Sequence, residues 1–210
     1  TELISENRAS FQVMGPLLAR HGYAASAPPG GDVIGQRPID VHLSGFEAMG
    51  ARVIREGERF VATAANGLHG ARVFMDYPSV SGTQNVMMAA VLARGHVTIV
   101  NAATEPEVQG LIRLLNAMGA RISGSGSQIL EIDGVENLHG TTSRIMPDRI
   151  KTATFAIAAV MTGGDVELRD VPTGVMDALL TKLRSAGAQI DESDGMLRVR
   201  REGPIRAVSF

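Results

Sequence analysis

A glycine- and proline-rich loop at residues 27–40 holds the side chains best suited to chemistry. After Ala27 it has two prolines and two glycines, continues through the carboxylate of Asp32, and reaches Arg37 and Pro38 shortly before its end at Asp40. Glycine lets a backbone approach a ligand closely, and the planar guanidinium of arginine pairs with phosphate or carboxylate oxygens. The pattern favours an anion-binding loop, although an ordinary surface loop can have the same composition.

The loop leads into a helix that we expect to begin near Ile39. Pro38 suits the first position of a helix, because the N–H that proline lacks would have no intrahelical partner there. The N–H groups of the first turn would add to the attraction for an anion. The repeat that fills the rest of the chain has no comparable insertion, which favours a functional role for the loop.

That repeat is a unit of about 69 residues. Helices are predicted to end at Gly50, Gly119 and Gly187, which are 69 and 68 residues apart. Glycine at this position permits the left-handed backbone that ends many helices. A β-hairpin is predicted after each glycine, at 52–56 with 59–64, at 121–124 with 128–133, and at 189–192 with 196–201, because the turns between these segments contain glycine.

The segments upstream complete each unit as αβαββ. We predict helices over 6–20 (interrupted at Gly15-Pro16), 83–93, 105–118, 149–161 and 173–185, and further strands over 24–27, 96–102 and 165–171. Two of the helices contain seven consecutive apolar residues, at 86–92 and 155–161. A helix that is apolar all round is normally buried. The sequence therefore predicts an α/β fold with helices inside and sheets outside.

Composition argues against several classes of function. The net charge of −2, the aromatic content of 4% and the absence of tryptophan do not favour nucleic-acid binding. Without cysteine there can be no disulfide, zinc thiolate or thiol nucleophile. No apolar run approaches the roughly 18 residues that span a bilayer, and the first residues do not resemble a signal peptide. We expect a cytoplasmic protein that does not bind membranes.

Five strings, in order along the chain, resemble those of one enzyme family. One is the loop string at 29–42, Pro-Gly-Gly-Asp-Val-Ile-Gly-Gln-Arg-Pro-Ile-Asp-Val-His, and the others lie at 8–10, 15–17, 101–107 and 147–150. The strings are highly specific as a set, whereas any one alone would be weak. Together they are similar to the UDP-N-acetylglucosamine enolpyruvyl transferases, the MurA family. The resemblance implies transfer of enolpyruvate from phosphoenolpyruvate to the 3-hydroxyl of UDP-N-acetylglucosamine, through a tetrahedral ketal phosphate and without metal or cofactor.

The same resemblance implies a place in the cell and a fold. The reaction is the first committed step of peptidoglycan synthesis, and so of cell wall biogenesis, cell shape, cell division and the cell cycle. The fold is an inside-out α/β barrel, with two domains of three repeat units each. Accordingly, residues 1–146 are predicted to be two units of the domain that carries the loop, and residues 147–210 the first unit of the second domain.

Residue roles follow from the resemblance by position. Arg37 matches an arginine that binds phosphoenolpyruvate. Asp32 replaces the cysteine of many members, to which proton transfer or product release is assigned; members with Asp resist fosfomycin, which alkylates the thiol. Predicted substrate-binding residues are Arg8, Arg37, Pro38, Ile39, Asp40, Val41, His42, Ser79, Val80 and Ser81, with the uracil at Pro38–Val41 and the diphosphate at Ser79–Ser81. Glu105 and Arg149 match other polar cleft positions, for which structural ion pairs are an equal alternative, and His42 is as well explained as a structural histidine.

The sequence also departs from the family. Tyr77 stands where the family has lysine, and Ser81 where it has glycine. The family's substrate-binding Lys-Asn pair, its aspartate base and further cleft arginines have no counterpart, so we expect a fragment that is inactive alone and self-associates through incomplete edges. The alternatives are a non-catalytic nucleotide-sugar binding module, a sister transferase acting on shikimate 3-phosphate, and a repeat scaffold without a ligand.

Overall fold

The computed structural model describes residues 7–30, 38–172 and 174–209, and divides into two compact units. The larger unit is Thr1–Ser143 and the smaller unit is Arg144–Phe210. This division is close to the predicted boundary after residue 146. That the two units correspond to the two domains of the family stays a prediction.

The larger unit begins with a 3-10 helix at Arg8–Val13 and continues as alternating helices and strands. Its elements are α1 (Met14–His21), β1 (Tyr23–Ser26), α2 (Asp40–Ala48), β2 (Arg52–Glu56), β3 (Arg59–Thr63), β4 (His69–Phe74), α3 (Val80–Ala90), β5 (Arg94–Val100), α4 (Pro106–Ala117), β6 (Arg121–Ser123) and β7 (Ile129–Asp133). The smaller unit contains α5 (Arg149–Thr162), β8 (Asp165–Arg169), α6 (Asp177–Ser185), β9 (Gln189–Ser193) and β10 (Met196–Arg200).

Three sheets share one pattern, in which the last hairpin of each repeat pairs with an earlier strand. The orders are β1-β3-β2, β4-β5-β7-β6 and β8-β10-β9. All neighbours are antiparallel except β4 and β5, which are parallel. The hairpins predicted from the glycine turns are confirmed. So are the three helix ends, because Gly50, Gly119 and Gly187 have φ of 91°, 99° and 107°.

Several helices differ in detail from the prediction, among them α3, which begins at Val80 rather than at residue 83. The first helix is not interrupted at Gly15-Pro16; it changes from 3-10 to α after Val13, and Pro16 is the third residue of α1. Pro38 is not the first helical residue, because Ile39 is the N-cap and α2 begins at Asp40. The helix expected from residue 173 begins at Asp177, after Gly174 with φ of 78°.

The two apolar helices, which look alike in sequence, are buried to different extents. Helix α3 packs among α1, α2 and α4, and Val86, Met87, Ala89 and Ala90 are at most 1% exposed. In α5, one side is buried against β8, β10 and α6, but Phe155 is 60% and Met161 68% exposed. The predicted burial is right for α3 and wrong for α5, because the described part of the smaller unit packs against only one side of that helix.

An exposed histidine joins two strands of the larger unit. His96 lies on β5, and its two partners, Glu131 and Asp133, lie on β7. The Nδ1 atom of His96 is 2.7 Å from Asp133 Oδ1, and its Nε2 atom is 2.7 Å from Glu131 Oε2. A hydrogen bond from each ring nitrogen requires the imidazolium form. The hydrogen bond with Asp133, and then that with Glu131, raises the pKa of His96 above its usual 6.5.

Replacing Asp133 with asparagine is expected to lower the pKa of His96 toward 6.5, because its largest stabilising contact is lost. Since the folded-state pKa is raised, this pair stabilises the fold fully below the unfolded pKa, and the contribution is lost as pH rises through the folded pKa. A proton NMR titration of the His96 ring measures the shift, with Asp76→Asn as control. An unchanged His96 pKa in Asp133→Asn would contradict the arrangement.

Candidate functional site

The starts of α2 and α3 lie side by side, and their polar groups meet. Ser79 is the N-cap of α3, where its Oγ accepts a hydrogen bond from the Gly82 N–H at 3.1 Å. The Tyr77 hydroxyl donates to Asp40 Oδ1 at 3.0 Å. We call this region, residues 38–42 together with 77–81, the α2–α3 site.

Two glycines allow the helices to come this close. A Cβ atom on Gly45 of α2 would lie 2.4 Å from Val86 Cγ2 on α3, and one on Gly82 would lie 2.7 Å from Val41 Cγ2. Both distances are far below van der Waals contact, so any side chain at either position would push the helices apart. The contact between the helices places the residues that follow Ser79 beside those that follow Ile39.

A small cavity of about 10 Å³ lies within the α2–α3 site. Its lining comes from the 3-10 helix, the end of the loop and both helix starts: Phe11, Gln12, Pro29, Pro38, Ile39, His42 and Ser81. A space of this size holds about one water molecule. Polar groups of His42 and Ser81 thus face the same cavity as the apolar side chains of the loop.

Behind the cavity is a buried polar network. Asn85 of α3 is 0% and His42 of α2 3% exposed. The Asn85 Nδ2 lies 2.9 Å from His42 Nδ1 and 3.0 Å from the carbonyl oxygen of Phe11, while Oδ1 accepts from the Gly15 N–H at 2.7 Å. The Phe11 ring meets the His42 ring edge to face, at 5.3 Å between centroids. One amide therefore links the 3-10 helix, α1, α2 and α3.

The structure brings together most of the described residues that the sequence predicted to bind substrate. Asp40 and His42 on α2 adjoin Ser79, Val80 and Ser81 on α3, and the His42 Nε2 lies 3.4 Å from Ser81 Oγ. Val41 is 2% exposed and packs on Gly82. Pro38 and Ile39 line the cavity.

Other predicted site residues are not placed in the α2–α3 site. Asp32 and Arg37 lie outside the described residues. Arg8 is the first residue of the 3-10 helix. Glu105 is the N-cap of α4. Arg149 opens α5 in the smaller unit, after Asp148 has capped that helix through the N–H groups of Ile150 and Lys151.

Sequence reasoning missed Asn85 and the partner of Tyr77. Asn85 was visible as an amide directly before the apolar run of α3, and a buried amide needs partners. Its partners come from segments as much as 74 residues away, so sequence spacing could not identify them. Tyr77 was noted only as a departure from the family, whereas its hydroxyl binds the predicted substrate residue Asp40.

Two classes of site are not found in the part of the chain that the structure describes. Within residues 7–30, 38–172 and 174–209, no three His, Asp or Glu side chains are grouped so as to hold a metal ion. None of the helices in those ranges has the length and apolar character needed to span a bilayer.

Comparison with known proteins gives consistent matches along the chain. The family model for EPSP synthase (3-phosphoshikimate 1-carboxyvinyltransferase) matches residues 1–209. The UDP-N-acetylglucosamine 1-carboxyvinyltransferase of Saccharophagus degradans is 50% identical over 210 residues, 100% of this chain and 50% of that protein. The protein of the same name from Gluconacetobacter diazotrophicus is 48% identical over 209 residues, with the same coverage of 100% and 50%. The chain thus spans about half the length of these curated relatives.

Solved structures show the same fold. The enolpyruvyl transferase NikO from Streptomyces tendae superimposes with a TM-score of 0.82 at 18% identity, over 100% of this chain and 51% of that one. EPSP synthase from Acinetobacter baumannii gives 0.66 at 20% identity, over 96% and 48%. The α/β enolpyruvyl transferase fold predicted from the repeat and the resemblance is confirmed. With a family model that matches nearly every residue, this chain belongs to the EPSP synthase family of enolpyruvyl transferases.

Proposed function

We propose that this chain is part of an enzyme that transfers enolpyruvate from phosphoenolpyruvate to the 3-hydroxyl of UDP-N-acetylglucosamine. The observation that carries the proposal is identity of 47–50% along the whole chain to proteins named UDP-N-acetylglucosamine 1-carboxyvinyltransferase, of which that from Sorangium cellulosum is a further example. The solved structures, one titled an enolpyruvyl transferase and the other EPSP synthase, are only 18–20% identical. Substrate choice follows individual side chains, so the relatives at higher identity are the better guide.

The α2–α3 site supports the nucleotide diphosphate as ligand. Helix α3 is 11 residues long, starts at the site and has no acidic residue in its first turn. Its N-terminal N–H groups and partial positive charge suit a phosphate oxygen. The hydroxyls of Ser79 and Ser81 lie in the same turn. The one carboxylate at the start of α2, on Asp40, accepts a hydrogen bond from Tyr77.

The proposed chemistry is addition followed by elimination. The sugar hydroxyl gives its proton to a base as its oxygen bonds to C2 of phosphoenolpyruvate, and C3 gains a proton from an acid, which gives a tetrahedral ketal phosphate. Loss of a C3 proton and of phosphate then restores the double bond. We assign phosphoenolpyruvate binding to Arg37 and proton transfer or product release to Asp32. Because an aspartate carboxylate replaces the thiol that fosfomycin alkylates, the enzyme would resist that inhibitor.

The same proposal extends to the place of the enzyme in the cell. Its product would begin peptidoglycan synthesis in the cytoplasm, and the enzyme would thereby serve cell wall biogenesis, cell shape, the cell cycle and division. We also propose that the 210-residue chain self-associates, because α5 exposes Phe155 and Met161. A monomeric sedimentation profile at tens of micromolar would contradict self-association.

Two other functions have observations in their favour. The matching family model is named for a 3-phosphoshikimate transferase, so shikimate 3-phosphate is an alternative acceptor. A nucleotide-sugar binding module without catalysis is the other alternative, because the groups placed in the α2–α3 site suit the nucleotide diphosphate and none of them is assigned a step of the chemistry. The relatives that are 48–50% identical favour UDP-N-acetylglucosamine over shikimate 3-phosphate as the ligand, whether or not the chain takes part in catalysis.

Calorimetry of the 210-residue chain separates these functions. We expect UDP-N-acetylglucosamine to bind and shikimate 3-phosphate not to bind, with phosphate release from phosphoenolpyruvate assayed in the same samples. Arg37→Ala should weaken phosphoenolpyruvate binding, whereas Arg113→Ala, on the exposed side of α4, should not. Binding of the nucleotide sugar together with phosphoenolpyruvate would favour the transferase even without phosphate release, because the chain spans about half of its relatives. Binding of the nucleotide sugar without any binding of phosphoenolpyruvate would favour the binding module. Preference for shikimate 3-phosphate would overturn the proposed acceptor.

A further inference from the structure

The buried amide of Asn85 has only one possible orientation. Its Oδ1 lies 2.7 Å from the N–H of Gly15, which can only donate, and its Nδ2 lies 3.0 Å from the carbonyl oxygen of Phe11, which can only accept. Exchanging the oxygen and nitrogen would place a donor against a donor and an acceptor against an acceptor. Two backbone groups therefore fix the amide without reference to any side chain.

The fixed amide in turn fixes the proton on His42. The Asn85 Nδ2 has two hydrogens; one is donated to Phe11, and the other points at His42 Nδ1 at 2.9 Å. His42 Nδ1 must then accept, so it carries no proton. A neutral imidazole has one N–H, which therefore lies on Nε2. Protonating Nδ1 would oppose two N–H groups in a site where Asn85 is 0% exposed.

The N–H of His42 is thereby aimed into the α2–α3 site. His42 Nε2 lies 3.4 Å from Ser81 Oγ, and both residues line the same cavity. At 3.4 Å the Ser81 oxygen is a distant acceptor for this N–H, so an oxygen atom of an entering ligand can replace it, and the Ser81 hydroxyl can then donate its own hydrogen. The two residues together offer hydrogen-bond donors to whatever enters from the starts of α2 and α3.

We propose that Asn85 is a positioning residue that holds His42 as the Nε2–H tautomer, so that His42 donates a hydrogen bond to an oxygen atom of the nucleotide sugar. The ligand in this inference rests on the proposed function, whereas the tautomer does not. The acceptor is an oxygen of the uracil ring or of the diphosphate, and a ligand N–H at the same place is rejected. Asn85 itself does not touch the ligand.

Nitrogen NMR of the histidine rings tests the tautomer in the unchanged 210-residue chain. We expect the His42 Nδ1 resonance in the range of unprotonated ring nitrogens and the Nε2 resonance in the range of protonated ones, assigned by their loss in His42→Gln. Addition of UDP-N-acetylglucosamine should shift the Nε2 resonance and leave Nδ1 unprotonated. A proton on Nδ1 in the unchanged chain would overturn the proposal, and this measurement requires no variant to fold.

Replacing Asn85 with aspartate tests the coupling, because the exchange keeps the shape and turns the donor into an acceptor. We expect His42 Nδ1 to become protonated and the affinity for UDP-N-acetylglucosamine to fall about tenfold, as for one unmade hydrogen bond. Asn116→Asp is the matched control, because Asn116 also pairs both amide atoms with backbone, at Ile122, but in α4. Unchanged His42 resonances and affinity in Asn85→Asp would overturn the role of Asn85.

Separate probes show whether the acceptor is a uracil oxygen or a diphosphate oxygen. They also separate the identity of the ligand from the tautomer of His42. Titration with uridine shifts the Nε2 resonance if the uracil oxygen is the acceptor, and titration with pyrophosphate shifts it if the diphosphate is. If the unchanged chain binds neither UDP-N-acetylglucosamine nor these probes, the proposed function and the ligand assigned to His42 both fail. The ring resonances then still decide whether Asn85 sets the tautomer.

Discussion

Replacing Gly15 with alanine is expected to lower the free energy of unfolding of the larger unit by about 3 kcal/mol. A Cβ atom at this position would lie 2.2 Å from the backbone oxygen of Asn85 and 2.5 Å from its Oδ1. The nearer atom belongs to the backbone of α3, so relief requires α1 and α3 to move apart rather than one side chain to turn. Any such movement also lengthens the hydrogen bond between the Gly15 N–H and Asn85.

Urea unfolding followed by tyrosine fluorescence measures this effect. Both tyrosines of the chain, Tyr23 and Tyr77, belong to the larger unit, and there is no tryptophan, so the signal reports on that unit alone. Gly140→Ala is the matched control, because a Cβ there meets nothing within 4 Å. We expect the unfolding midpoint of the control to stay near that of the unchanged chain. Equal midpoints for the two variants would show that α1 and α3 are not in the contact described.

The helix ends and hairpins could be predicted because their determinants are local. A glycine at φ of 91°, 99° or 107° and a glycine turn a few residues later are written within about ten residues of sequence. Strand β4 was not predicted. Of its residues only Val73 is fully buried, so it lacks an alternating pattern, and its partner β5 is parallel and beyond α3. Pairing over that distance has no signature in the strand itself.

The α2–α3 site was predictable only in part for the same reason. The residues that follow Ile39 and Ser79 were identified through their strings, which lie in continuous sequence. Asn85 acts through Phe11, Gly15 and His42, which come together only when three helices pack. A polar residue in an apolar helix predicts that partners exist, but only the folded chain shows that those partners orient a histidine.

The different burial of the two apolar helices, α3 and α5, could not be predicted from the sequence, because burial depends on which other elements pack against a helix. Both carry seven consecutive apolar residues, at 86–92 and 155–161. Met87 of α3 is 0% exposed, whereas Met161 of α5 is 68% exposed. Helix α3 has neighbours on several sides, and α5 within the described part of the smaller unit has them on one. Equal hydrophobicity therefore stabilises the two units unequally.

Replacing these two methionines with alanine is expected to change the free energy of unfolding by very different amounts. Met87→Ala should lower the free energy of unfolding by about 3 kcal/mol, because it removes buried methylene groups and leaves a cavity. Met161→Ala should cost less than about 0.5 kcal/mol, because its side chain is already in water. Circular dichroism during urea unfolding follows both units, and tyrosine fluorescence follows the larger one. If Met161→Ala costs as much as Met87→Ala, the outer side of α5 is covered in solution, and concentration-dependent unfolding would then identify a second copy of the chain as the cover.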